Sequence, residues 1–279
     1  MPLTAVRAGA YLHHVAFESS NPRQLADFYA SAMDMVAEQT GEDEWRCSGP
    51  NRRFVVRRGT DRKLSYAGLA CRDSDGLEEL KARARSEGLD ILADPSPYFQ
   101  DGAFAVRGPD DQIIVFGVAK ADTVVRKGLQ GPTQHLTFAT FDVEAFEAFF
   151  HGKLGFALSD RVLHADGTLA TSFVRSNHEH HTLACFKSNR QGVDHHSYEA
   201  GDWNVIRDWC DRFASLGISL MWGPGRHGPG NNLFIFIEDP DGNWIEISAE
   251  LEVVHDRPVK NWPQEARTLN LWGKAILRS

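Results

Sequence analysis

His135, His195 and Glu246, two histidines and a glutamate in the second half of the chain, each lie in or beside a strand-like run. Two imidazoles and a carboxylate on one side of a divalent iron leave its other positions open to substrate and dioxygen, so the set has the makings of a two-histidine, one-carboxylate metal face. His181 and His227 stand at intervals that could bring them to the same centre. An imidazole that titrates near neutrality can take and return a proton there. With 12 histidines in the chain, a lone strand histidine is ordinarily structural. Three candidate ligands at corresponding places in related units carry more weight.

Those units are visible in the chain. Tyr11 to Glu18 is a strand-like run, Asn21-Pro22 supplies a cap and a first helical residue, and Leu25, Phe28, Tyr29, Ala32 and Met33 follow at helical spacing. The second half starts in the same way, with Gln134 to Phe141, Asp142 as cap, Phe146, Phe149, Phe150 and Leu154 on a helix, and Gly155 as its stop. Leu64 to Cys71 with Gly76 to Glu87, and His195 to Ala200 with Trp203 to Leu216, form a further strand-helix pair in each half, stopped by Gly88 and Gly217. Each half closes on a turn and a strand: Gly108-Pro109-Asp110-Asp111 before Gln112 to Val118, and Asp239-Pro240-Asp241-Gly242 before Asn243 to Ser248. A β-α-β-β-β module used four times, two per domain, accounts for this repetition. The expected class is α+β, with an N-terminal module pair over 1–120, a linker near Ala119 to Gly131, a second pair over 130–250 and a C-terminal tail over 251–279.

The duplication acts as an internal control. Aligning the halves sets His14 against His135, Tyr66 against His195 and Val115 against Glu246. Tyrosine and valine cannot complete such a site, so the first half is expected to be a structural partner and His14 a satisfied strand histidine. Period-two alternation places His135 and Thr137 on one face of their strand and Leu136 and Phe138 on the other, and likewise Glu246 opposite Ile245 and Ile247.

Bulk properties narrow the function further. A net charge of -8 argues against nucleic-acid binding, which needs clustered Lys and Arg. Cys47, Cys71, Cys185 and Cys210 show no close pairing, which points to a reducing cytoplasm rather than a disulfide framework. Neither a leader nor an apolar run near membrane-spanning length is seen, so no membrane role is expected.

Gly225-Arg226-His227, Ile235-Phe236, Asp239-Pro240-Asp241-Gly242 and Glu246, together with His180-His181 and Asp194-His195-His196, resemble the motifs of type I extradiol ring-cleavage dioxygenases of the vicinal oxygen chelate superfamily. The resemblance runs from about residue 10 to 250. The run Trp222 to Gly228 is most similar to the homoprotocatechuate 2,3-dioxygenase branch. It implies a glyoxalase-like fold, His135, His195 and Glu246 as ligands of Fe(II), with Mn(II) suiting the same set, and O2 as co-substrate. His195 is chosen over His196 because Glu199 matches the acidic residue that follows the ligand in that family. His181 would be the acid-base histidine and His227 the one beside the substrate oxygens. A small aromatic diol is the implied substrate, with Phe236, Trp222 and Thr137 against it, and a homo-oligomer is expected.

Two departures bear on chemistry. Phe236 replaces the family's tyrosine, keeping the ring and losing the donor, so the missing hydrogen bond would fall to His227 or to water. Trp222 replaces the arginine that holds a substrate carboxylate, which favours a neutral, apolar or polycyclic diol. The rival readings are a non-oxidative isomerase or lyase of the same superfamily and a non-catalytic aromatic-binding protein. The tail, with Trp262 and Trp272, is free on sequence grounds to cover the site or to pack between subunits.

Overall fold

Short polar residues start the helices and glycines stop them, and the strands between have one face for the core. A computed structural model describes residues 3–121 and 128–276. Its first half runs α1 (Thr4–Arg7), β1 (Tyr11–Ser19), α2 (Pro22–Ala32), β2 (Val36–Gln39), β3 (Glu44–Gly49), β4 (Arg52–Arg58), β5 (Leu64–Cys71), α3 (Ser74–Ser86), β6 (Phe104–Arg107) and β7 (Ile113–Val118). The second runs β8 (Thr133–Thr140), α4 (Val143–Glu147), β9 (Ala157–Leu163), β10 (Leu169–Arg175), β11 (Leu183–Lys187), β12 (Gly192–Gly201), α5 (Trp203–Ser215), β13 (Trp222–Arg226), β14 (Leu233–Glu238), β15 (Trp244–Ala249), β16 (Lys260–Pro263) and α6 (Ala266–Leu269). The Asn21, Asp73, Asp142 and Asp202 side chains accept N–H groups in the first turns of α2, α3, α4 and α5. Gly88 and Gly217 take φ of +73° and +70° just past α3 and α5, a conformation that costs glycine little. The helix read through Phe146 to Leu154 is present, but after α4 it widens into a π-helical stretch over Ala148–Lys153.

Each half is one mixed sheet. The first has the order β2-β3-β4-β1-β5-β7-β6, and the second repeats it as β9-β10-β11-β8-β12-β15-β14, with β13 added at one edge and β16 at the other. The second module of the first half replaces its first post-helical strand by a single bridge, Leu92 to Ala105. Register makes the correspondence residue by residue. Ala16 pairs Tyr66 as Thr137 pairs His195, and Gly68 pairs Val115 as Ser197 pairs Glu246.

Helices cover one face of each sheet. Leu25, Tyr29, Leu77 and Leu80 in the first half, and Ile206, Trp209 and Phe213 in the second, are buried against the outer-face strand residues, including Leu136, Phe138, Ile245 and Ile247. Burial of each such side chain stabilises the fold by roughly 1.5–3 kcal/mol. His135, Thr137 and Glu246 therefore face the opposite, concave side. The halves are tied by Arg52, which is fully buried and donates to the carbonyls of Met33, Asp34, Leu129 and Gly131, and by Tyr29, whose hydroxyl meets His196 and Asp239. Part of the linker expected near Ala119 to Gly131, residues 122–127, lies outside the described residues. Among the described residues no helix is long and apolar enough to cross a membrane.

The tail does not hang free. It makes β16, parallel to β9, and then α6, whose Leu269 carbonyl accepts from His227 Nδ1 at 2.6 Å.

Candidate metal centre

Three adjacent strands bring the donors together. His135 comes from β8, His195 from β12 and Glu246 from β15, and their ligand atoms lie within 4.8 Å of one another. Glu246 Oε2 is 2.9 Å from His135 Nε2 and 3.3 Å from His195 Nε2, while Oε1 is 3.7 Å from His227 Nε2. Donors about 3 Å apart are neighbouring corners around one ion with bonds of about 2.1 Å. All three side chains are buried.

The surroundings fix how each ligand presents itself. His195 Nδ1 is 2.7 Å from Asp194 Oδ2, and His135 Nδ1 is 3.2 Å from Gln134 Oε1. An acceptor at Nδ1 keeps the proton there and turns the Nε2 lone pair inward, which is the tautomer a metal requires. Asn232 donates to Glu246 Oε1 at 3.1 Å and to Ser248 Oγ at 2.9 Å. Burial pushes His135 below the ordinary imidazole range. Burial would lower His195 too, but its bonds to the Asp194 and Glu246 carboxylates raise it overall. Burial alone would raise Glu246, yet the His135, His195 and His227 imidazoles around it hold it well below the usual carboxylate range. A buried carboxylate faced by imidazole lone pairs calls for a cation, so the donor set fits a nitrogen- and oxygen-ligated divalent metal.

A pocket opens over this face. His135, Thr137, His181, His195, His227 and Glu246 all line it, beside the apolar Val162, Phe173, Ala184, Phe186 and Pro229. Gln264, Thr268, Leu269 and Ile276 close one side, so the tail folds over the mouth. His181 is buried rather than solvated, its ring centroid 4.2 Å from that of His135. Burial, with the His135 and His180 rings beside it, holds His181 well below the ordinary imidazole range.

The second histidine of the Asp194-His195-His196 run points away. His196 sits on the helix-facing side, 3.0 Å from the Tyr29 hydroxyl. Phe236 and Trp222 are absent from the pocket lining. The Phe236 ring meets His195 edge-on at 5.2 Å, and Trp222 stacks behind it at 5.3 Å, its Nε1 donating to the Lys274 carbonyl. Phe236 pairs Glu246 across the β14–β15 ladder and Trp222 pairs Phe236 across β13–β14, so both rings share the ligand face and pack with Phe234 into a small aromatic cluster beside it. Sequence reading passed over Asp194, Gln134 and Asn232. Adjacency to the candidate histidines was a usable signal for the first two. Asn232 offered none.

The model described as "Glyoxalase/Bleomycin resistance protein/Dioxygenase superfamily" matches residues 133–247, the stretch that carries all three donors. Metapyrocatechase 2 of Cupriavidus necator is 24% identical over 219 residues, 70% of this chain and 67% of the relative. Among solved structures, homoprotocatechuate 2,3-dioxygenase from Arthrobacter globiformis superposes with a TM-score of 0.81 at 19% identity, covering 95% of this chain and 88% of that one. A Mn(II)-bound glyoxalase from Novosphingobium aromaticivorans superposes with a TM-score of 0.78 at 20% identity, covering 94% and 90%. The glyoxalase-like α+β fold is thereby shared along nearly the whole chain.

Proposed function

We propose that this chain, whose residues 133–247 form a domain of the glyoxalase, bleomycin resistance protein and dioxygenase superfamily, is an extradiol ring-cleavage dioxygenase. Its substrate would be a neutral, apolar or polycyclic aromatic diol. The observation that carries the reading is the convergence of His135 Nε2, His195 Nε2 and Glu246 Oε2 at the base of a largely apolar pocket that also holds His181 and His227. The names of metapyrocatechase 2 and of the homoprotocatechuate 2,3-dioxygenase structure support it.

His135, His195 and Glu246 would hold Fe(II), or Mn(II), which when bound supplies open positions for a chelating diol and for O2 and passes electrons between them. His181 would take a diol proton at Nε2 and return it later. His227, with Nδ1 held by the Leu269 carbonyl, presents Nε2 toward the Glu246 side of the pocket, where it would hydrogen-bond a substrate oxygen. Thr137 offers a hydroxyl on the same wall. Val162, Phe173, Phe186, Leu269 and Ile276 would pack the ring and exclude water. Among the described residues neither Lys nor Arg lines the pocket, which favours a substrate without a carboxylate.

The likeness to a Mn(II)-bound glyoxalase keeps a non-oxidative metal enzyme as the second reading. One experiment separates them. Protein loaded anaerobically with Fe(II) and mixed with substituted and polycyclic catechols should consume oxygen and release a coloured ring-opened product. Oxygen-independent isomerisation of a thiol adduct would favour the second reading, and tight aromatic binding without turnover under any metal would make the pocket a binding site only. We further assign the module pairs at 1–120 and 130–250 as separate domains, and propose a cytoplasmic homo-oligomer. Limited proteolysis and light scattering test the first and last of these.

A further inference from the structure

Behind His181, on the side away from the metal face, lies a chain of polar groups that the reaction above does not use. His181 Nδ1 is 2.9 Å from His180 Nδ1, and His180 Nε2 is 3.0 Å from Asp160 Oδ2, at an oblique angle. Asp160 and His180 are both fully buried. The carboxylate is heavily served: Arg257 Nη1 donates to Oδ1 at 2.8 Å, the Lys260 N–H to Oδ1 at 3.3 Å, and Trp262 Nε1 to Oδ2 at 2.8 Å. Arg257 is itself braced by both oxygens of Glu252. Burial alone would raise Asp160, but its bonds to His180, Trp262 and Arg257 hold it below the ordinary range, so it is a carboxylate.

Proton counting then runs in one direction. Two nitrogens 2.9 Å apart share one proton, so one of the two Nδ1 atoms donates and the other accepts. A nitrogen 3.0 Å from a carboxylate oxygen is favoured electrostatically when it carries its proton, even at an angle too oblique for a hydrogen bond, which selects the Nε2–H tautomer of neutral His180 and leaves its Nδ1 as the acceptor. His181 must then be protonated at Nδ1, and its Nε2 lone pair faces the pocket. We propose that Asp160 is a positioning residue that, through His180, selects the tautomer of His181 competent to act as a base. The partners that hold Asp160, Arg257, Lys260 and Trp262, belong to the tail, so the tail serves this histidine as well as the pocket mouth. The proposal rests on the reading of His181 as the acid-base group, but its structural content is separately measurable.

Asp160→Asn is the informative variant. Arg257 and the Lys260 N–H on the Oδ1 side outweigh the single Trp262 donor on the other and hold the amide oxygen there, which turns the NH2 toward His180 Nε2 with loss of the Trp262 bond and reverses each donor along the chain. Long-range proton–nitrogen correlation spectra of histidine-labelled, Zn(II)-loaded protein report the tautomers directly. Wild type should show His180 protonated at Nε2 and His181 at Nδ1, and the variant should show both inverted. With a catechol that the wild type turns over, kcat should fall by about 10³-fold, while KM moves less than about threefold, as expected of a wrong tautomer in an intact site. His181 protonated at Nε2 in wild type overturns the proposal, as does a variant with unchanged tautomers or unchanged kcat. If the variant does not fold, the wild-type spectrum decides alone. Absence of oxygen uptake with every catechol would remove the dioxygenase reading and leave the tautomer assignment standing or falling on the spectra.

Discussion

The two halves of this molecule share strand order and register, yet at the three positions where one has His135, His195 and Glu246 the other has His14, Tyr66 and Val115. In the first half the space is filled. The rings of Tyr98, Phe99 and Tyr66 surround His14 at centroid distances of 4.9, 5.1 and 5.5 Å, and Phe99, Tyr66, Val55 and Val115 form a small apolar cluster. His14 is satisfied there by Ser96 Oγ at 2.9 Å and by His13. In the second half the corresponding space is a pocket with a polar base and largely apolar walls. The scaffold therefore supplies convergence of three strand positions, and the side chains decide whether a metal face or a plug results.

The largest test of that contrast removes a ligand. Glu246→Gln takes away the only carboxylate of the set and should abolish turnover, with metal affinity falling more than about 100-fold, since loss of an outer partner alone costs up to that. Metal analysis after dialysis, with oxygen uptake, reads both. Next, the plug can be challenged by writing the missing ligands into it. Tyr66→His with Val115→Glu should bind no second metal, because Phe99 and Tyr98 occupy the space, and should destabilise the protein by about 3–5 kcal/mol through an uncompensated buried charge. A stoichiometry of two metals per chain would show that side-chain identity alone suffices.

A subtler contrast lies four residues beyond each central ligand position, where the first half has Ala70 and the second Glu199. Burial raises Glu199 to about 7. A carboxyl raised above its unfolded value contributes stability in full at low pH and loses it as pH climbs from its ordinary range through about 7. Glu199→Gln should flatten that decline and stabilise the protein by on the order of 2 kcal/mol at pH 8, read by urea unfolding at pH 5 and pH 8. Equal pH slopes in both proteins would contradict the burial argument. The smallest effect is expected from Phe236→Tyr. Its ring packs edge-on against His195 and is not among the residues lining the pocket, so steady-state kinetics should change by less than about tenfold, with an altered preference among substituted catechols as the readable sign.

How much of this was legible in the sequence follows from how local each signal is. Strand faces, caps and glycine stops are set within a few residues, and so the modules and the opposition of His135 to Leu136 could be read directly. The alignment of the halves needed only turns and helices, and the observed register agrees with it at each of the three ligand positions. Motif position puts Trp222 and Phe236 on the ligand side of their strands, as the register has them, but says nothing about which neighbouring rings they pack against. Asp160, His180 and Arg257 form a site only through contacts across about a hundred residues of chain, which no periodicity records. The tail carries almost no repeating pattern, so its aromatic residues left both placements open, over the site or between subunits, and its pairing as β16 was not readable.

That return along β9 gives the site an order in time. Synthesis proceeds from the first residue, and the three donors are all in place by residue 246, whereas the wall of Gln264, Thr268, Leu269 and Ile276 comes afterwards. A nascent or truncated chain that stops short of residue 260 would carry the whole metal face with no wall over it and without the backbone and indole donors that hold Asp160. Competence to capture a metal and competence to shelter a reaction are thus acquired at different chain lengths.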